Sequence, residues 1–511
     1  MSAPNASFPE LEETAIAALQ VALATGQLTA RQLIERYLAR IAALDSSGPT
    51  LRSIIETNPD ALDIADALDR ERAAGTVRGP LHGIPILLKD NIDTADRMNT
   101  TAGSLALLGA HPTQDATAAA KLRRAGAILL GKANMSEWAN FRSSHSSSGW
   151  SGRGGQARNP YALDRTPCGS SSGSAIAVAA NLAPAALGTE TDGSILCPSA
   201  ANNLVGIKPT LGLTSRAGVV PIAHSQDVVG PIGRTVADAA LLLGALTGAD
   251  PRDPATAGSL GNFSTDYMGF LDPNGLRGAR LGVPREVYFG YSEKTDAVAN
   301  AAIETLTSLG AVVVDPANIP TAKQMQTSEA EFTVLLYEFK ADLNAYLADL
   351  GPNAPVHTLE EVIAFNAAHA ADELPCFGQD ILEAAQAKGP LTDPAYLAAR
   401  AECIRLSQQD GIDAVLNDYQ LDALVLPTGR PAWKIDLVNG DPSGGGGSSQ
   451  PGALAGYPSI TVPAGYAAGE LPVGLTFLGR AYSEPMLIKL AYAFEQATLH
   501  RRPPRFLPSV P

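Results

Sequence analysis

Serine and glycine are concentrated in two short clusters of the chain, residues 169–174 and 189–194. A short apolar run rich in alanine separates them. Glycine loses more conformational freedom on folding than any other residue, so clusters of it beside a buried-looking segment indicate that free backbone and hydroxyl groups are needed there. We therefore predict an active site within residues 168–198.

Residues 169–173 also fit the GxSxG pattern of a nucleophile elbow. That motif places its serine directly after an apolar strand, whereas residues 159–167 contain two prolines and two charged side chains. The elbow also needs a downstream histidine base, and none of the four candidates has a helpful setting: His224, His357, His369 and His500. We disfavour the elbow, and also a phosphate-binding loop, because no Gly-Lys-Ser/Thr sequence follows the glycines.

A serine nucleophile that works without histidine needs another base, and a lysine held neutral can serve. Lys89 ends the apolar run of residues 84–88. Lowering a lysine pKa from ~10.4 to ~7 costs about 4 to 5 kcal/mol, which burial can supply. Lys132 and Lys208 compete with Lys89 for this role, and spacing alone does not choose among the three.

The elements around these residues alternate between strands and helices. We predict buried strands over residues 83–90 and 127–131, with a helix over residues 114–125 between them. A further helix, over residues 174–182, directly follows the first serine cluster. This alternation indicates an α/β sheet that is covered by helices on both faces.

The two ends of the chain extend this plan. Thr29 and Gln32 have the spacing of a capping box, which predicts a helix beginning there. The remaining predicted elements are a helix near residues 59–74, a mostly helical region over 235–420 with one strand near 311–314, strands over 423–426, 459–462 and 473–478, and a last helix over 484–496.

We predict that residues 1–511 form a single compact α/β/α unit with a mixed sheet, because no linker rich enough to separate domains occurs. Residues 315–420 form a helical elaboration, and residues 421–500 complete the sheet. The one low-complexity tract, residues 441–449 with four consecutive glycines, is interpreted as a mobile loop at the rim of a site.

The composition, 45% hydrophobic and 17% charged residues, is typical of soluble globular proteins. A net charge of −15 without a basic run argues against nucleic-acid and anionic-membrane partners, so we expect a small or neutral one. No apolar run approaches the ~18 residues of a membrane helix. The N-terminus shows no signal-peptide pattern, which predicts a cytoplasmic location.

The chain has four cysteines, and their spacing matches no metal site. We predict that they are reduced thiols in the core or near the site, in a reducing compartment. We expect no metal and no cofactor. The four residues are Cys168, Cys197, Cys376 and Cys403.

Three separated motifs together resemble the amidase signature family. They are GIPILLKD at residues 83–90, the serine cluster at 168–174, and GTETDGSI at 188–195. The similarity continues through residues 471–475 and Gly479. The resemblance implies that family's fold, with a signature core over about residues 80–235.

Within the family, the chain most resembles peptide amidases, which remove the C-terminal amide of peptides. The similar stretches include residues 136–142, 149–156 and 335–340. Most family members have glycine at three positions where this chain departs in the peptide-amidase manner: Cys168, Ser172 and Asp192. The resemblance implies a hydrolase that forms an acyl-enzyme and releases ammonia from C-terminally amidated peptides.

Carried over by position, the resemblance implies that Ser194 is the nucleophile and Lys89 the base. Ser170, next to a cis peptide bond, relays a proton between them. Backbone N–H groups that converge on one oxygen stabilise a tetrahedral intermediate, and one such donor is typically worth ~3 kcal/mol. The implied oxyanion hole consists of the N–H groups of Thr191, Asp192, Gly193 and Ser194.

Several other side chains are candidate substrate contacts. The carboxylate of Asp192 can accept a hydrogen bond from a primary amide and repel a free carboxylate, although local capping or pairing is an alternative. Ser171 is a candidate for which structural hydrogen bonding is favoured, and Asp227 is predicted to be a structural support. Three aromatic side chains are candidate walls of the cleft, with core packing as the alternative: Trp138, Phe141 and Trp150.

Other functions stay open at this point. Relatives include broad-specificity amidases and amidases of aryl acylamides and fatty acid amides. The catalytic subunit of tRNA-dependent amidotransferases shares the fold and releases ammonia for a partner. A non-catalytic scaffold is disfavoured because Lys89, Ser170 and Ser194 are all present. We expect a monomer or a homodimer.

Overall fold

The computed structural model describes residues 10–442 and 446–510. Over these residues, eleven strands form a single mixed sheet, in the order β1-β3-β2-β4-β6-β5-β10-β11-β9-β7-β8. The strands are β1 (Ile54–Thr57), β2 (Pro85–Lys89), β3 (Ile128–Ala133), β4 (Ala185–Glu190), β5 (Val205–Lys208), β6 (Val228–Gly233), β7 (Arg280–Gly282), β8 (Val312–Val314), β9 (Ala423–Pro427), β10 (Ser459–Ala467) and β11 (Leu471–Leu478).

Helices flank this sheet, so the predicted α/β fold class is confirmed. They are α1 (Ile16–Ala24), α2 (Ala30–Leu44), α3 (Ala61–Ala73), α4 (Thr117–Arg124), α5 (Ser172–Ala179), α6 (Leu196–Ala201), α7 (Val236–Leu246), α8 (Glu293–Ser308), α9 (Ala322–Thr327), α10 (Ala330–Asp349), α11 (Leu359–Ala368), α12 (Ala370–Glu373), α13 (Asp380–Gln386), α14 (Pro394–Ser407), α15 (Asp413–Asp418), α16 (Gln450–Ala455) and α17 (Glu484–Thr498). Within the described residues, no helix is long and apolar enough to cross a membrane.

The parallel strands β2, β3 and β4 lie side by side, with β2 in the middle. Every residue of β2 is buried, as expected for a parallel strand covered on both faces. Helix α4 forms the crossover between β2 and β3. Because β2 and β4 are parallel neighbours, their carboxyl ends meet at one edge of the sheet, where open α/β sheets bind ligands.

The capping box predicted at the start of α2 is present. The Thr29 hydroxyl accepts the backbone N–H of Gln32 at 3.1 Å, and the Gln32 side chain accepts the Thr29 N–H at 3.1 Å. The predicted helical elaboration corresponds to α9–α15. Its longest helix, α10, packs against α13 and α14 and brings Phe339 and Leu343 into a cluster with Trp138.

The prediction that all four cysteines are reduced is wrong for two of them. Cys168 and Cys197 form a disulfide, with their Cα atoms 5.9 Å apart, whereas Cys376 and Cys403 are free. The pair is 29 residues apart in sequence, and the fold brings its members together because β4 returns the chain beside the start of α5. The sequence spacing of the cysteines excluded a metal site but did not predict which of them lie close together in the fold.

Part of the predicted loop at residues 441–449 lies outside the described residues, namely 443–445. The flanking residues lie against other parts of the structure. Asp441 accepts the backbone N–H of Ser148 at 3.0 Å, and Gly447 forms a β-bridge with Gly429. The mobility of this tract stays a prediction.

Candidate active site

The carboxyl ends of β2 and β4 bring a lysine, a threonine and a serine into contact. Lys89 is the last residue of β2, and its side chain is fully buried. Its Nζ lies 2.7 Å from the Ser170 Oγ, 2.8 Å from the Thr189 Oγ1 and 3.1 Å from the Thr189 carbonyl oxygen. Two acceptors on Thr189 can thus take two amine N–H groups, which leaves the lone pair of a neutral amine for the Ser170 hydroxyl.

Burial lowers the pKa of Lys89 to about 7. The negative charges of Asp227 and Glu190 oppose this shift, because they favour the protonated amine. The lowered lysine pKa that the sequence analysis required therefore agrees with the burial of Lys89 in the structure. A base with a pKa near neutrality is suited to accept and return a proton at physiological pH.

The two competing lysines are also buried, but within the described residues neither donates a hydrogen bond to a serine. The Lys132 Nζ donates to the Ile92 carbonyl at 2.6 Å and to the Thr100 hydroxyl at 2.8 Å. The Lys208 Nζ donates to the Tyr457 carbonyl at 2.8 Å. Burial lowers the pKa of both groups, so it is position, and not pKa alone, that distinguishes Lys89.

Ser170 lies in a loop that leads directly into α5. The Gly169–Ser170 peptide bond is cis, as the family resemblance implies. No strand directly precedes this loop, so the strand of a nucleophile elbow is absent from these described residues. Ser172, the first residue of α5, donates its hydroxyl to the Cys168 carbonyl at 2.7 Å.

Ser171 joins this loop to β4 and to the second cluster. Its backbone N–H donates to the Ser194 carbonyl at 3.1 Å. Its hydroxyl donates to the Thr189 carbonyl at 3.0 Å, and the Thr189 N–H donates to that hydroxyl at 3.2 Å. These contacts give Ser171 a structural role, while direct contact with substrate stays a prediction.

The turn of residues 191–194 connects β4 to α6. Gly193 has φ +77°, and a Cβ at this position would lie 2.9 Å from the Ser449 Oγ, so both conformation and space favour glycine. Four consecutive backbone N–H groups of this turn have no hydrogen-bond acceptor among the described residues: those of Thr191, Asp192, Gly193 and Ser194. Their role as an oxyanion hole stays a prediction.

Two carboxylates stabilise this turn by accepting hydrogen bonds. Glu190 accepts the N–H groups of Ile195 at 2.6 Å and Leu196 at 2.9 Å. Asp227 accepts the Thr191 hydroxyl at 2.6 Å, together with two further backbone N–H groups. Burial raises the pKa of Asp227 to about 6. These hydrogen bonds provide the structural support that was predicted for Asp227.

Asp192 points into an acidic part of the cleft. The residue is exposed at the cleft surface, but desolvation of its carboxyl group by the surrounding cleft raises the pKa of Asp192, while a hydrogen bond from Ser449 and the charge of Lys208 oppose this shift. The nearby Glu331 of α10 has a pKa raised to about 8, first by burial and then by the charge of Asp192. Gln226 connects these groups, donating to the Thr191 carbonyl at 3.4 Å and to Glu331 at 3.1 Å.

A cavity of about 340 Å³ lies next to this turn. Gln450 lines the cavity and donates to Glu331 at 2.9 Å, and it directly follows Ser449. The volume is at the lower end of the range for small-molecule sites, about 300–1,000 Å³. Its other lining residues are Cys197, Val287, Tyr288, Gln326, Arg430, Trp433, Pro442, Gly446 and Gly447.

The three aromatic candidates are buried in packing contacts. Trp138 is 1% exposed and belongs to the apolar cluster that α10 covers. Phe141 packs against Phe339 with ring centroids 5.1 Å apart, and Trp150 packs against Phe377 at 5.0 Å. Their predicted contact with substrate stays a prediction.

The four histidines considered as bases make contacts elsewhere. The His224 Nδ1 lies 2.9 Å from an Asp342 carboxylate oxygen. Within the described residues, none of the four histidines has a hydrogen bond, ion pair or ring contact with either of the two catalytic serine candidates. The other three contact Glu361, the Phe365 carbonyl and the Phe494 ring: His357, His369 and His500, respectively.

Sequence reasoning missed several residues that support this site. Thr189 and Glu190 lie inside the GTETDGSI motif but received no role, although a hydroxyl next to a carboxylate within one motif is a usable signal. Gln226, Glu331 and Ser449 lie far from the motifs, and no local pattern marks them.

A family profile described as "Amidase" matches residues 32–488. The chain therefore belongs to the amidase family, and the resemblance to amidase signature proteins is confirmed. It is accordingly a hydrolase that acts on carbon–nitrogen bonds in linear amides.

Particular relatives make this similarity more specific. The crystal structure of native peptide amidase from Stenotrophomonas maltophilia superposes with a TM-score of 0.93 and 53% identity, covering 98% of this chain and all of that one. A probable amidase of Arabidopsis thaliana is 45% identical over 504 residues, covering 97% of this chain and 92% of the relative. A glutamyl-tRNA(Gln) amidotransferase subunit of Chloroflexus aurantiacus is 36% identical over 512 residues, covering 98% of this chain and 99% of the relative.

Proposed function

We propose that this amidase hydrolyses the C-terminal amide of peptides by a Ser–Ser–Lys mechanism, in which Lys89 is the base, Ser170 the relay and Ser194 the nucleophile. The observation that carries the mechanism is the contact of 2.7 Å between the Lys89 Nζ and the Ser170 Oγ in a fully buried setting. The similarity to peptide amidase over nearly the whole chain supports the substrate class.

In the first half of the reaction, the Ser194 Oγ attacks the amide carbonyl carbon. Its proton passes to the Ser170 Oγ as the Ser170 proton passes to the Lys89 Nζ. The free N–H groups of residues 191–194 stabilise the negative oxygen of the tetrahedral intermediate. The Lys89 ammonium then returns its proton through Ser170 to the leaving nitrogen, which departs as ammonia and leaves an acyl-Ser194 ester.

In the second half, water attacks the ester carbonyl along the same path. Its proton moves through Ser170 to Lys89, and the tetrahedral intermediate again uses the N–H groups of residues 191–194. Collapse of this intermediate releases the carboxylic acid and returns the proton to Ser194. The two halves together consume one amide and one water and produce one acid and one ammonia.

We expect the kcat/KM for amide hydrolysis to rise with pH through a midpoint near 7. The pKa of Lys89 in the free enzyme is lowered to about 7, and only the neutral amine can accept the Ser170 proton, so kcat/KM is lost as pH falls through this value. Measuring kcat/KM from about pH 5.5 to 9 tests this dependence, because kcat/KM reports the pKa values of the free enzyme. Circular dichroism over the same range controls for unfolding, and a kcat/KM that stays flat from about pH 5.5 to 8 contradicts a lysine base.

Asp192 is proposed to distinguish the amide substrate from the acid product. Its exposed carboxylate at the nucleophile turn can accept a hydrogen bond from a primary amide and repels the carboxylate that hydrolysis produces. This charge arrangement favours departure of the product.

We expect the substitution Asp192→Asn to strengthen inhibition by the free-acid peptide by at least about threefold, since it removes a like charge next to the product carboxylate. The measurement is the inhibition constant of the acid product with an amidated dipeptide as substrate. Inhibition by the matched neutral peptide alcohol is the control and should change little. An unchanged inhibition constant for the acid rejects this role.

An ammonia-release assay tests the substrate class directly. Amidated dipeptides, anilides and fatty acid amides are compared by kcat/KM, with the Ser194→Ala variant as the background control. We expect the amidated dipeptides to be hydrolysed with the highest kcat/KM. Failure on every peptide amide would reject the proposal, and preference for anilides or fatty amides would favour the broader amidase alternatives.

The similarity to the amidotransferase protein supports one alternative, a subunit that releases ammonia for a partner. Hydrolysis of peptide amides by the purified chain alone argues against it. A monomer or homodimer, and one domain formed around a single sheet, stay predictions. A cytoplasmic location also stays a prediction, and the Cys168–Cys197 disulfide weighs against it because such bonds are rare in the cytosol.

A further inference from the structure

The disulfide joins the two segments that carry the serines. Cys168 directly precedes the cis Gly169–Ser170 bond. Cys197 lies in the first turn of α6, three residues after Ser194, and its backbone N–H donates to the Gly193 carbonyl at 2.8 Å. The covalent link therefore connects the relay loop to the nucleophile turn at the position where both meet the ends of β2 and β4.

The other connections between these two segments are hydrogen bonds. Ser171 contributes its N–H to the Ser194 carbonyl and its hydroxyl to Thr189. The Asn202 side chain donates to the Pro167 carbonyl at 2.9 Å. The Lys89 Nζ also contacts both segments, but its contact with Ser170 is the one that the relay must use. Apart from the main chain, the disulfide is thus the one covalent link between these two segments among the described residues.

The backbone at Cys168 gives an independent argument for its side chain. Its φ of +56° lies in the left-handed region, where glycine is favoured over any residue with a Cβ. A cysteine at such a position, in place of glycine, is explained by what its sulfur does. The same sulfur is bonded to Cys197.

We propose that the Cys168–Cys197 disulfide is a positioning element of the active site, which fixes the loop that carries Ser170 relative to the turn that carries Ser194. This inference rests on the proposed Ser–Ser–Lys mechanism. Proton relays depend on hydrogen-bond distance at every step, and a displacement of about 1 Å in a catalytic group can cost about 100-fold in rate. Loss of the disulfide is therefore expected to lower kcat. KM should stay nearly constant, because the groups that bind the substrate without taking part in proton transfer are not displaced.

Double substitution gives the first test. We expect Cys168→Ala/Cys197→Ala to lower kcat on an amidated dipeptide by about 10- to 100-fold with KM within about threefold. The assay temperature lies well below the unfolding transition of the variant. Cys168→Gly/Cys197→Ala is the second variant, because glycine adopts the φ of +56° without a Cβ. An unchanged kcat in either folded variant overturns the inference.

Reduction of the wild-type enzyme gives the second test. Dithiothreitol supplies two electrons: the S–S bond breaks, Cys168 and Cys197 become thiols, and the dithiol becomes its cyclic disulfide. Cys197 is half-buried and lines the cavity of about 340 Å³, which offers a route for the reagent. We expect kcat to fall as two additional thiols per chain are titrated, and to recover on reoxidation.

The two free cysteines provide a matched control. The variant Cys376→Ser/Cys403→Ser retains the disulfide and should lose and regain kcat as the wild type does. Full kcat in the reduced, folded enzyme overturns the inference. Resistance to the dithiol together with failure of both double variants to fold also overturns it, because the bond then acts in folding. An inactive wild type would instead refute the proposed function.

Discussion

Replacing Lys89 with alanine is expected to lower kcat for amide hydrolysis by about 10⁴-fold or more, in the range seen when a member of a catalytic triad is removed. The reason is positional. Among the described residues, Lys89 is the one of the three candidate lysines whose Nζ reaches a serine, at 2.7 Å from the Ser170 Oγ, and in the proposed mechanism its removal leaves the relay without a proton acceptor. Steady-state kinetics on an amidated dipeptide measure the loss, and thermal unfolding confirms that the variant is folded.

Histidine substitutions are the control for this prediction. Each of the four alanine variants should keep kcat within about threefold, because each ring contacts groups other than the two serines. A histidine variant that loses as much activity as Lys89→Ala would restore the nucleophile-elbow mechanism. The four variants are His224→Ala, His357→Ala, His369→Ala and His500→Ala.

Replacing Ser194 with alanine is expected to lower kcat by about 10⁵- to 10⁶-fold, since no covalent intermediate can then form. Binding of substrate should change much less, because the four free N–H groups belong to the backbone and remain. The measurement pairs kcat with the dissociation constant of the amidated dipeptide for the inactive variant. Loss of binding in parallel with kcat would point to a collapsed turn instead of a missing nucleophile.

A second serine on the same segment gives the matched control. Ser199 lies on α6, five residues after Ser194, and its hydroxyl has no hydrogen-bond partner among the described residues. Ser199→Ala should therefore keep kcat within about threefold. If Ser199→Ala and Ser194→Ala lose activity equally, packing of α6 and not nucleophilic attack explains the loss.

The catalytic part of the fold was predictable because its local patterns are strong. The apolar run that ends at Lys89 is the central parallel strand β2, and strands of this kind are continuous apolar runs in sequence. The helix after the first cluster is α5, although it begins at Ser172 and not at 174. Helix ends are the least certain part of such predictions, since side chains of the loop can extend the first turn.

The strand that leads into the second cluster, β4, and the two strands that follow it, β5 and β6, were not predicted. β4 has the sequence AALGTE, whose alanine and glycine have low β propensity. β4 forms because β2 and β6 pair with it on both sides, which is tertiary information. β5 and β6 escaped prediction for the same reason: both are fully buried and show no alternation of polar and apolar residues.

The residues of the candidate site were likewise predictable only in part. Lys89, Ser170 and the turn that contains Ser194 belong to motifs, so their meeting at one sheet edge was expected from family resemblance. The disulfide was not, because the distance between Cys168 and Cys197 depends on how β4 returns the chain. The acid on α10, Glu331, lies outside the similar stretch of residues 335–340 in that helix, and no local pattern marks it.

The most direct test of the mechanism is the site of the covalent intermediate. Acid quenching during turnover of an amidated dipeptide, followed by reduction, alkylation and trypsin digestion, yields one peptide of residues 166–216, since the one basic residue before Arg216, Lys208, precedes a proline and resists trypsin. Tandem mass spectrometry then locates the acyl group within it. The account predicts a dipeptidyl ester on Ser194 and none in Ser194→Ala; an ester on Ser170, or turnover without any acyl-enzyme, would contradict it.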